Sequence, residues 1–422
     1  MSASCTVCGG TETYQLERRE AVPVAQNLLL ATREEALACV TGSLAMRRCS
    51  SCGFSWNEEF DAGLLDYGAS YDNDQSFSPL FGRHLGQVAD AVAARLSGSG
   101  PLDLLEIGCG QGGFLSALAA RLGASWRSGL GFDPAWKGDS AALPERTEVR
   151  GCHFQAGALA PGERPKPNAV VSRHVIEHLP DPVGHLSAIR SAVSEGIPIF
   201  VETPDVDWTL RNGAVFDFHY EHCSLFTDFA LRLALERSGF IVEEVRRVFG
   251  DQYLFATARA GATLPAPSPI QGRFSDLGYR AARERFLSAL EALLDHRRSS
   301  GGVALWGAAS KGVMIALMLP ETPQLIACAI DINQRKQGCF MASSGVPILS
   351  PAEAAQSGVR TAIVVNPQYT DEVRAYCAGE GLPIDIISIE AAECNAAEPE
   401  HQAGGAEDRL SRTTWTERHG AS

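Results

Sequence analysis

Residues 102–118 read LDLLEIGCGQGGFLSAL, and no other stretch restricts the fold of this chain as much. An apolar run ends on Glu106 and Ile107, glycines follow at Gly108, Gly110, Gly112 and Gly113, and a helical pattern begins at Phe114. That is strand, glycine turn, helix. An apolar run with no long polar interruption suits a strand covered on both faces of a parallel sheet, and the glycines let backbone approach a ligand closely.

The alternation continues. The pattern predicts strands at 129–133, 147–152, 169–172 and 197–202, helices ending near Leu122 and Val193, and a helix over 227–238. Two runs then follow, 241–249 and 252–258, whose Gly250-Asp251 junction is a hairpin signal. Gly108, Gly110 and Gly113 fit the dinucleotide fingerprint, while Gly108, Gly110 and Gly112 fit the version used for S-adenosylmethionine (SAM). A parallel sheet closing in an antiparallel hairpin favours SAM, because dehydrogenase folds normally continue with parallel units. Asp133 then stands where a carboxylate meets ribose hydroxyls, and Glu106 where one attracts the ammonium of the methionine moiety.

Net charge is −14, from 36 Lys plus Arg against 50 Asp plus Glu, which argues against nucleic acid as a partner. No run approaches the roughly 18 apolar residues needed to span a bilayer, and the first ten residues lack a signal-peptide pattern, so the expectation is a cytoplasmic protein with no membrane partner. Cys5-x-x-Cys8 and Cys49-x-x-Cys52 are matched chelating pairs, each followed by glycine. Two residues between cysteines let both thiolates reach one tetrahedral ion, so these four read as a zinc site. Four thiolates leave no open position, which assigns the metal to folding.

Further along, Tyr67, Tyr71, Asp72, Asn73 and residues 76–81 form a polar, aromatic loop before a helix at 84–96. His174 to His178 spells H-x-x-E-H, an inverted zinc-protease motif, but Pro180 and Pro182 deny it the continuous helix that two zinc-binding histidines need. At the carboxyl end of a strand, His178 looks instead into the crevice where open sheets bind ligands. Between the fifth strand and the next helix, Asp217-Phe218-His219-Tyr220-Glu221-His222 gathers groups able to move or position protons. A proline-rich linker at 261–272 leads to a helix at 274–298 and a second strand-turn-helix, VALWGAASKGVMIALML, with Ser310 and Lys311 at its turn and Asp331 ending the next strand. Backbone amides and Lys311 at a helix N-terminus suit phosphate.

This order of parts resembles the three-domain SAM-dependent C-methyltransferases of deoxysugar biosynthesis, through the Cys5/Cys8/Cys49/Cys52 knuckle, GCGQGG, HVIEH, YEH, GAASKG, DINQRKQG and VPILSP. The resemblance implies an α/β chain of four parts. These are a zinc-binding domain with a substrate-covering loop (1–80), a class I SAM methyltransferase domain (81–260), a Rossmann-like acceptor domain (261–390) and a disordered tail (391–422). It implies methylation at C3 of a nucleotide-linked 4-keto-deoxysugar, with Glu221 and His222 as the family's Glu-His pair and His178, Tyr71 and Tyr220 beside them. Glu106, Gly108, Gly110, Gly112, Asp133 and His174 would bind the cofactor, and Ser310, Lys311 and Asp331 the acceptor's nucleotide. One departure is His219, where the family often has tyrosine. An O- or N-methyltransferase, an NAD-dependent sugar oxidoreductase and a non-catalytic zinc adaptor remain the competing readings.

Overall fold

The computed structural model describes residues 4–65, 71–72, 77–138, 140, 143–159, 166–263, 268–270, 273–298, 302–318 and 325–389. Tyr67, Asn73, Ser76 and the tail from 391 lie outside them. The chain opens with β1 (Thr13–Pro23), α1 (Arg33–Leu37), β2 (Thr41–Cys49) and β3 (Ser55–Asn57), which form an antiparallel sheet. Thr13 lies opposite Cys49, and this register carries the second cysteine pair to the first.

The central unit begins with α2 (Pro79–Leu96), whose Ser78 side chain accepts from the Phe81 N–H. It continues through β4 (Leu102–Ile107), α3 (Gly113–Leu122), β5 (Trp126–Phe132), β6 (Thr147–Arg150), β7 (Ala169–Arg173), α4 (Pro182–Ala192) and β8 (Pro198–Pro204). After α5 (Val206–Arg211) and β9 (Ser224–Leu225) come α6 (Asp228–Arg237), β10 (Phe240–Val248) and β11 (Tyr253–Ala260). The seven-stranded sheet has the order β6-β5-β4-β7-β8-β11-β10, with β11 antiparallel to both neighbours. All six residues of β4 are buried, as an apolar central strand requires. The expected hairpin is present.

The last unit comprises α7 (Tyr279–Arg298), β12 (Gly302–Trp306), α8 (Ser310–Ala316), β13 (Ile326–Ile330), β14 (Ile348–Leu349), α9 (Pro351–Gln356), β15 (Val359–Val364), α10 (Thr370–Gly379) and β16 (Asp385–Ser388). Its five strands are parallel, in the order β14-β13-β12-β15-β16.

The three units share their cores. β9, from the segment that follows β8, pairs with β3 and completes the N-terminal sheet. One apolar cluster joins Leu44 and Met46 of β2, Trp208 and Phe218, Phe286 of α7 and Leu305 of β12. A second joins Cys5, Cys49, Cys52 and Phe54 to Leu105, Leu130 and Val201 of the central sheet. The segment between β8 and α6 is therefore clamped from two sides, and the polar cluster at 217–222 lies on it.

Candidate functional site

The glycine turn after β4 is a cradle. Gly108, Gly110 and Gly112 have φ of +75°, +53° and +81°, a region that L side chains rarely adopt. A Cβ on Gly108 would lie 2.1 Å from Val175 Cγ2, so the turn after β7 presses directly on it. Asp133 builds the turn, its Oδ2 accepting from the Gly110 N–H (2.7 Å) and its Oδ1 from the Ala135 N–H (2.8 Å). Glu106 is 2% exposed and its Oε2 has no hydrogen-bond partner. Burial pushes its carboxyl up to about 8, against the attraction of Arg173. A buried carboxyl with one unpaired oxygen beside a glycine-rich turn fits the cationic methionine end of SAM, whose charge would favour its ionised form. Beyond Asp133 a cleft of about 630 Å³ opens at the ends of β5 and β6, lined by Phe132, Pro134, Arg150, Cys152 and His153.

Beside this turn lies a buried ionic cluster that the sequence did not reveal. Glu202 receives His84 Nε2 at 2.5 Å and Arg173 Nε at 2.6 Å. Burial alone would raise its pKa, but Arg173 and the His84 bond outweigh burial and hold the carboxyl well below the usual range. His174 takes a left-handed φ of +53°, stacks edge-on against Tyr253 at 4.6 Å and directs Nδ1 to Glu177 Oε1 (3.2 Å). The other oxygen of Glu177 accepts from Thr203 (3.0 Å). His174 thus fits a role at the cofactor end of the crevice, oriented by a fully buried carboxylate.

Next to it stand three imidazoles. The His222 ring is 4.8 Å from His178 and 3.9 Å from His219. Burial draws His222 well below the ordinary histidine value, and the neighbouring His219, His178, His174 and Lys311 add to the effect. His219 is 5% exposed and lowered in the same way, with burial first and then His178, Lys311 and Arg19. Both rings are therefore uncharged near neutral pH. Glu177, His178 and His222 come within metal-binding reach of one another. The two Glu177 oxygens also meet His174 and Thr203.

Two expected roles in this cluster change. Glu221 does not orient His222; its Oε2 accepts from the Gln26 N–H (3.0 Å) and its carboxylate bonds the Tyr71 hydroxyl, so it ties the loop to the N-terminal unit. Tyr220 turns away altogether. It is fully buried against Gly42 and Phe60, and its hydroxyl oxygen accepts from the Asp61 N–H (2.8 Å). Successive side chains in an irregular loop point in different directions, which spacing does not report. His178 and His222 are brought together with His219 and Glu177, while Tyr71 and Gln26 meet Glu221.

The second glycine turn departs from expectation more sharply. Lys311 is paired with Asp217 and lies over the rings of Trp208 (5.5 Å) and Phe216 (5.2 Å). Asp331 spends Oδ2 on the Ala308 N–H (3.0 Å) and Oδ1 on the Asn333 N–H (2.9 Å), and the Ser310 hydroxyl accepts from Asn27 Nδ2 (3.3 Å). Lys311 is thus committed to Asp217, whereas Ser310 keeps its hydroxyl proton and Asp331 accepts two turn amides in the same way as Asp133. Lys336, 5% exposed, contacts Asn27 Oδ1 (3.2 Å) and the Ala308 carbonyl (3.5 Å) at the same junction.

At the N-terminus the four cysteines converge. Cys5 and Cys52 sulfurs are 3.6 Å apart and Cys8 and Cys49 sulfurs 3.5 Å, close to the ~3.8 Å edge of a tetrahedron of zinc–thiolate bonds. Amides of Cys8, Gly10 and Ser51 point at sulfur. A divalent ion would let all four ionise, so the donor set is compatible with zinc.

Comparison with known proteins agrees with this architecture. Residues 81–245 match a methyltransferase domain family, and residues 276–379 match the C-methyltransferase C-terminal domain family. A ubiquinone biosynthesis O-methyltransferase from Cupriavidus pinatubonensis is 34% identical over 140 residues, 32% of this chain and 53% of that protein. The chain thus spans about half the length of that curated relative. Among solved structures, the CurJ carbon methyltransferase is 16% identical, with 44% of this chain and 56% of that one covered at a TM-score of 0.35. The 1,6-didemethyltoxoflavin-N1-methyltransferase of Burkholderia thailandensis, solved with S-adenosylhomocysteine, is 18% identical at a TM-score of 0.34, covering 43% and 81%. No helix among the described residues is long and apolar enough to cross a membrane. The central unit has the class I SAM methyltransferase fold, and the unit that follows it is similar to the C-methyltransferase C-terminal domain family.

Proposed function

We propose that the chain is a SAM-dependent C-methyltransferase acting on a carbon α to a ketone, with a nucleotide-linked 4-keto-deoxysugar as its acceptor. The observation that carries this reading is the cluster of three imidazoles at the end of the sheet, beside the glycine turn, in which burial holds His222 and His219 well below the ordinary histidine value. A carbon acceptor is no nucleophile until an α-proton leaves, so it needs a base, whereas oxygen and nitrogen acceptors often need mainly alignment. The C-terminal family match supports carbon, and the sequence resemblance supports the sugar. Glu106, the glycine turn and Asp133 would hold SAM, which supplies the methyl group as an electrophilic sulfonium.

In this reading His222 takes the α-proton, and the carbon left electron-rich by that loss forms the new bond to methyl. SAM bound there would give up its methyl and be left as a neutral thioether, and His222 later releases its proton to solvent. His178 and Tyr71 contact the ketone or the sugar hydroxyls, and residues from the N-terminal unit close the pocket over them. Zinc on the four cysteines supports the fold, and elemental analysis of chain purified without chelator should find one equivalent. The decisive test is exchange of the acceptor's α-proton with deuterated solvent in the presence of S-adenosylhomocysteine. Wild type should exchange, and His222→Asn should lose exchange and methylation together by roughly two to four orders of magnitude. Methylation with no exchange in wild type would favour an oxygen or nitrogen acceptor.

A further inference from the structure

We propose that Lys311 is a positioning residue for the catalytic loop: the C-terminal domain inserts it between Trp208 and Phe216 to grip Asp217 and so fix residues 217–222. The inference rests on the reading of His222 as base.

The contact is built, not incidental. Lys311 and Asp217 are 94 positions apart, and their side chains are only 22% and 19% exposed, which limits screening by water. The ammonium faces two aromatic rings at 5.2 and 5.5 Å, an arrangement in which cation–π attraction adds to the ion pair. Asp217 ends a 3-10 turn (Val215–Asp217) and also accepts from Thr209 Oγ1 at 3.4 Å. His219 stands two positions further on and packs against His222. A second strand-turn-helix unit placed here acts as a clamp on the loop, and this accounts for a lysine that phosphate binding does not use.

The clamp also acts by charge. Facing His222 are His174 and His178 from the link after β7, with Glu177 beside them, His219 from its own loop, and Lys311 from α8. Arg19 of β1 faces His219, and Glu221 holds Gln26. A cation at Lys311 disfavours a second positive charge on either ring, adding to burial and the neighbouring imidazoles in keeping both rings unprotonated before substrate arrives.

The test needs no acceptor. The full chain, labelled at histidine Cε1 and saturated with S-adenosylhomocysteine, is titrated by NMR, with His222 assigned through His222→Asn. Lys311→Met should move the His222 titration upward, toward the ordinary histidine value, and Lys311→Arg should leave it near wild type. An unchanged titration in Lys311→Met, or an Arg variant that behaves like the Met variant, would overturn the proposal. If Lys311→Met does not fold, Asp217→Asn, which preserves side-chain volume, carries the test. It should displace the His219 and His222 signals while that of His185, packed against Phe154, stays in place. Signals of His219 and His222 that do not move would overturn it equally. A wild type that fails to exchange the α-proton refutes the carbon-acceptor reading and leaves the NMR outcome standing.

Discussion

The two glycine turns, 108–113 and 307–312, are built on one plan and differ in what they leave unsatisfied. In each, the first glycine N–H bonds a carbonyl at the end of the neighbouring strand: Gly108 to Phe132 and Gly307 to Ile330, both at 2.8 Å. In each, an aspartate following that strand accepts from a turn amide, Asp133 from Gly110 and Asp331 from Ala308. The first turn, crowded at Gly108 by Val175 and at Gly112 by Leu143, is open at its other two glycines. A Cβ on Gly110 or Gly113 would meet nothing within 4 Å, and Glu106 beneath keeps an unpaired oxygen. The second turn is closed on itself, with Gly312 so near the Gly307 carbonyl that a Cβ would lie 1.9 Å from its oxygen, and its lysine is committed to Asp217. A shared strand-turn-helix pattern specifies a fold. Whether it is also a site depends on what is left unsatisfied there.

The largest effect expected from this contrast is on Glu106. Its proton is held to about pH 8 in the folded chain, against an ordinary value of 4.5, because burial disfavours the charge. Between those two values the folded chain holds a proton that the unfolded chain releases, so stability falls as pH rises through that window, by on the order of a few kcal/mol. Glu106→Gln should remove the decline, raising the melting temperature of cofactor-free protein at pH 8 relative to wild type while weakening SAM binding. Melting curves at pH 5 and pH 8 check this. A variant equally unstable at both, or one that binds SAM normally, would make the first turn as purely structural as the second.

A smaller effect follows from space. Gly312→Ala sets a methyl against a backbone carbonyl that cannot turn aside, and should cost about 1–3 kcal/mol of stability through overpacking. Gly110→Ala has room and meets only the strain of a left-handed φ, about 1–2 kcal/mol. The variants should also separate by readout. Gly110→Ala should lower SAM affinity, measured by calorimetry, and Gly312→Ala should leave the affinity of the folded fraction alone.

The strands of the central sheet, its closing hairpin and β12 and β13 of the last sheet were readable because burial leaves a local apolar record, whereas the short edge strands β14 and β16 were not, and the doubled Cys-x-x-Cys was readable because chelation needs that spacing. The N-terminal sheet was not. Register shifts in β1 at Gln15/Glu17 and Arg19/Val22 break the period-two alternation, and its fourth strand is two residues borrowed from 224–225. Within the site, sequence placed the right residue types in one loop but not their directions. Tyr220 finds Asp61 at 159 positions' distance and Lys311 finds Asp217 at 94, contacts that only the shared core determines. Glu177 had a signal, in the middle of H-x-x-E-H, and it reads correctly once the motif is seen as a histidine and its orienting carboxylate.

The smallest expected difference is also the closest test of the comparison, because it applies one change to equivalent atoms. Asp133 and Asp331 each accept two backbone N–H groups, at 2.7 and 2.8 Å and at 3.0 and 2.9 Å. Replacing either by asparagine keeps the side chain's size and one acceptor oxygen but loses the charge and one bond, a change of about 1 kcal/mol. If the first turn is the cofactor site, Asp133→Asn should show that cost mainly as a SAM affinity about five- to tenfold weaker, since the ribose end would face a weaker acceptor. If the second turn is a joint, Asp331→Asn should show it as a lower unfolding midpoint with SAM affinity unchanged. Calorimetry and denaturant melts on both variants separate the outcomes. Equal losses of SAM affinity in the two would mean that the second turn reaches the cofactor site after all.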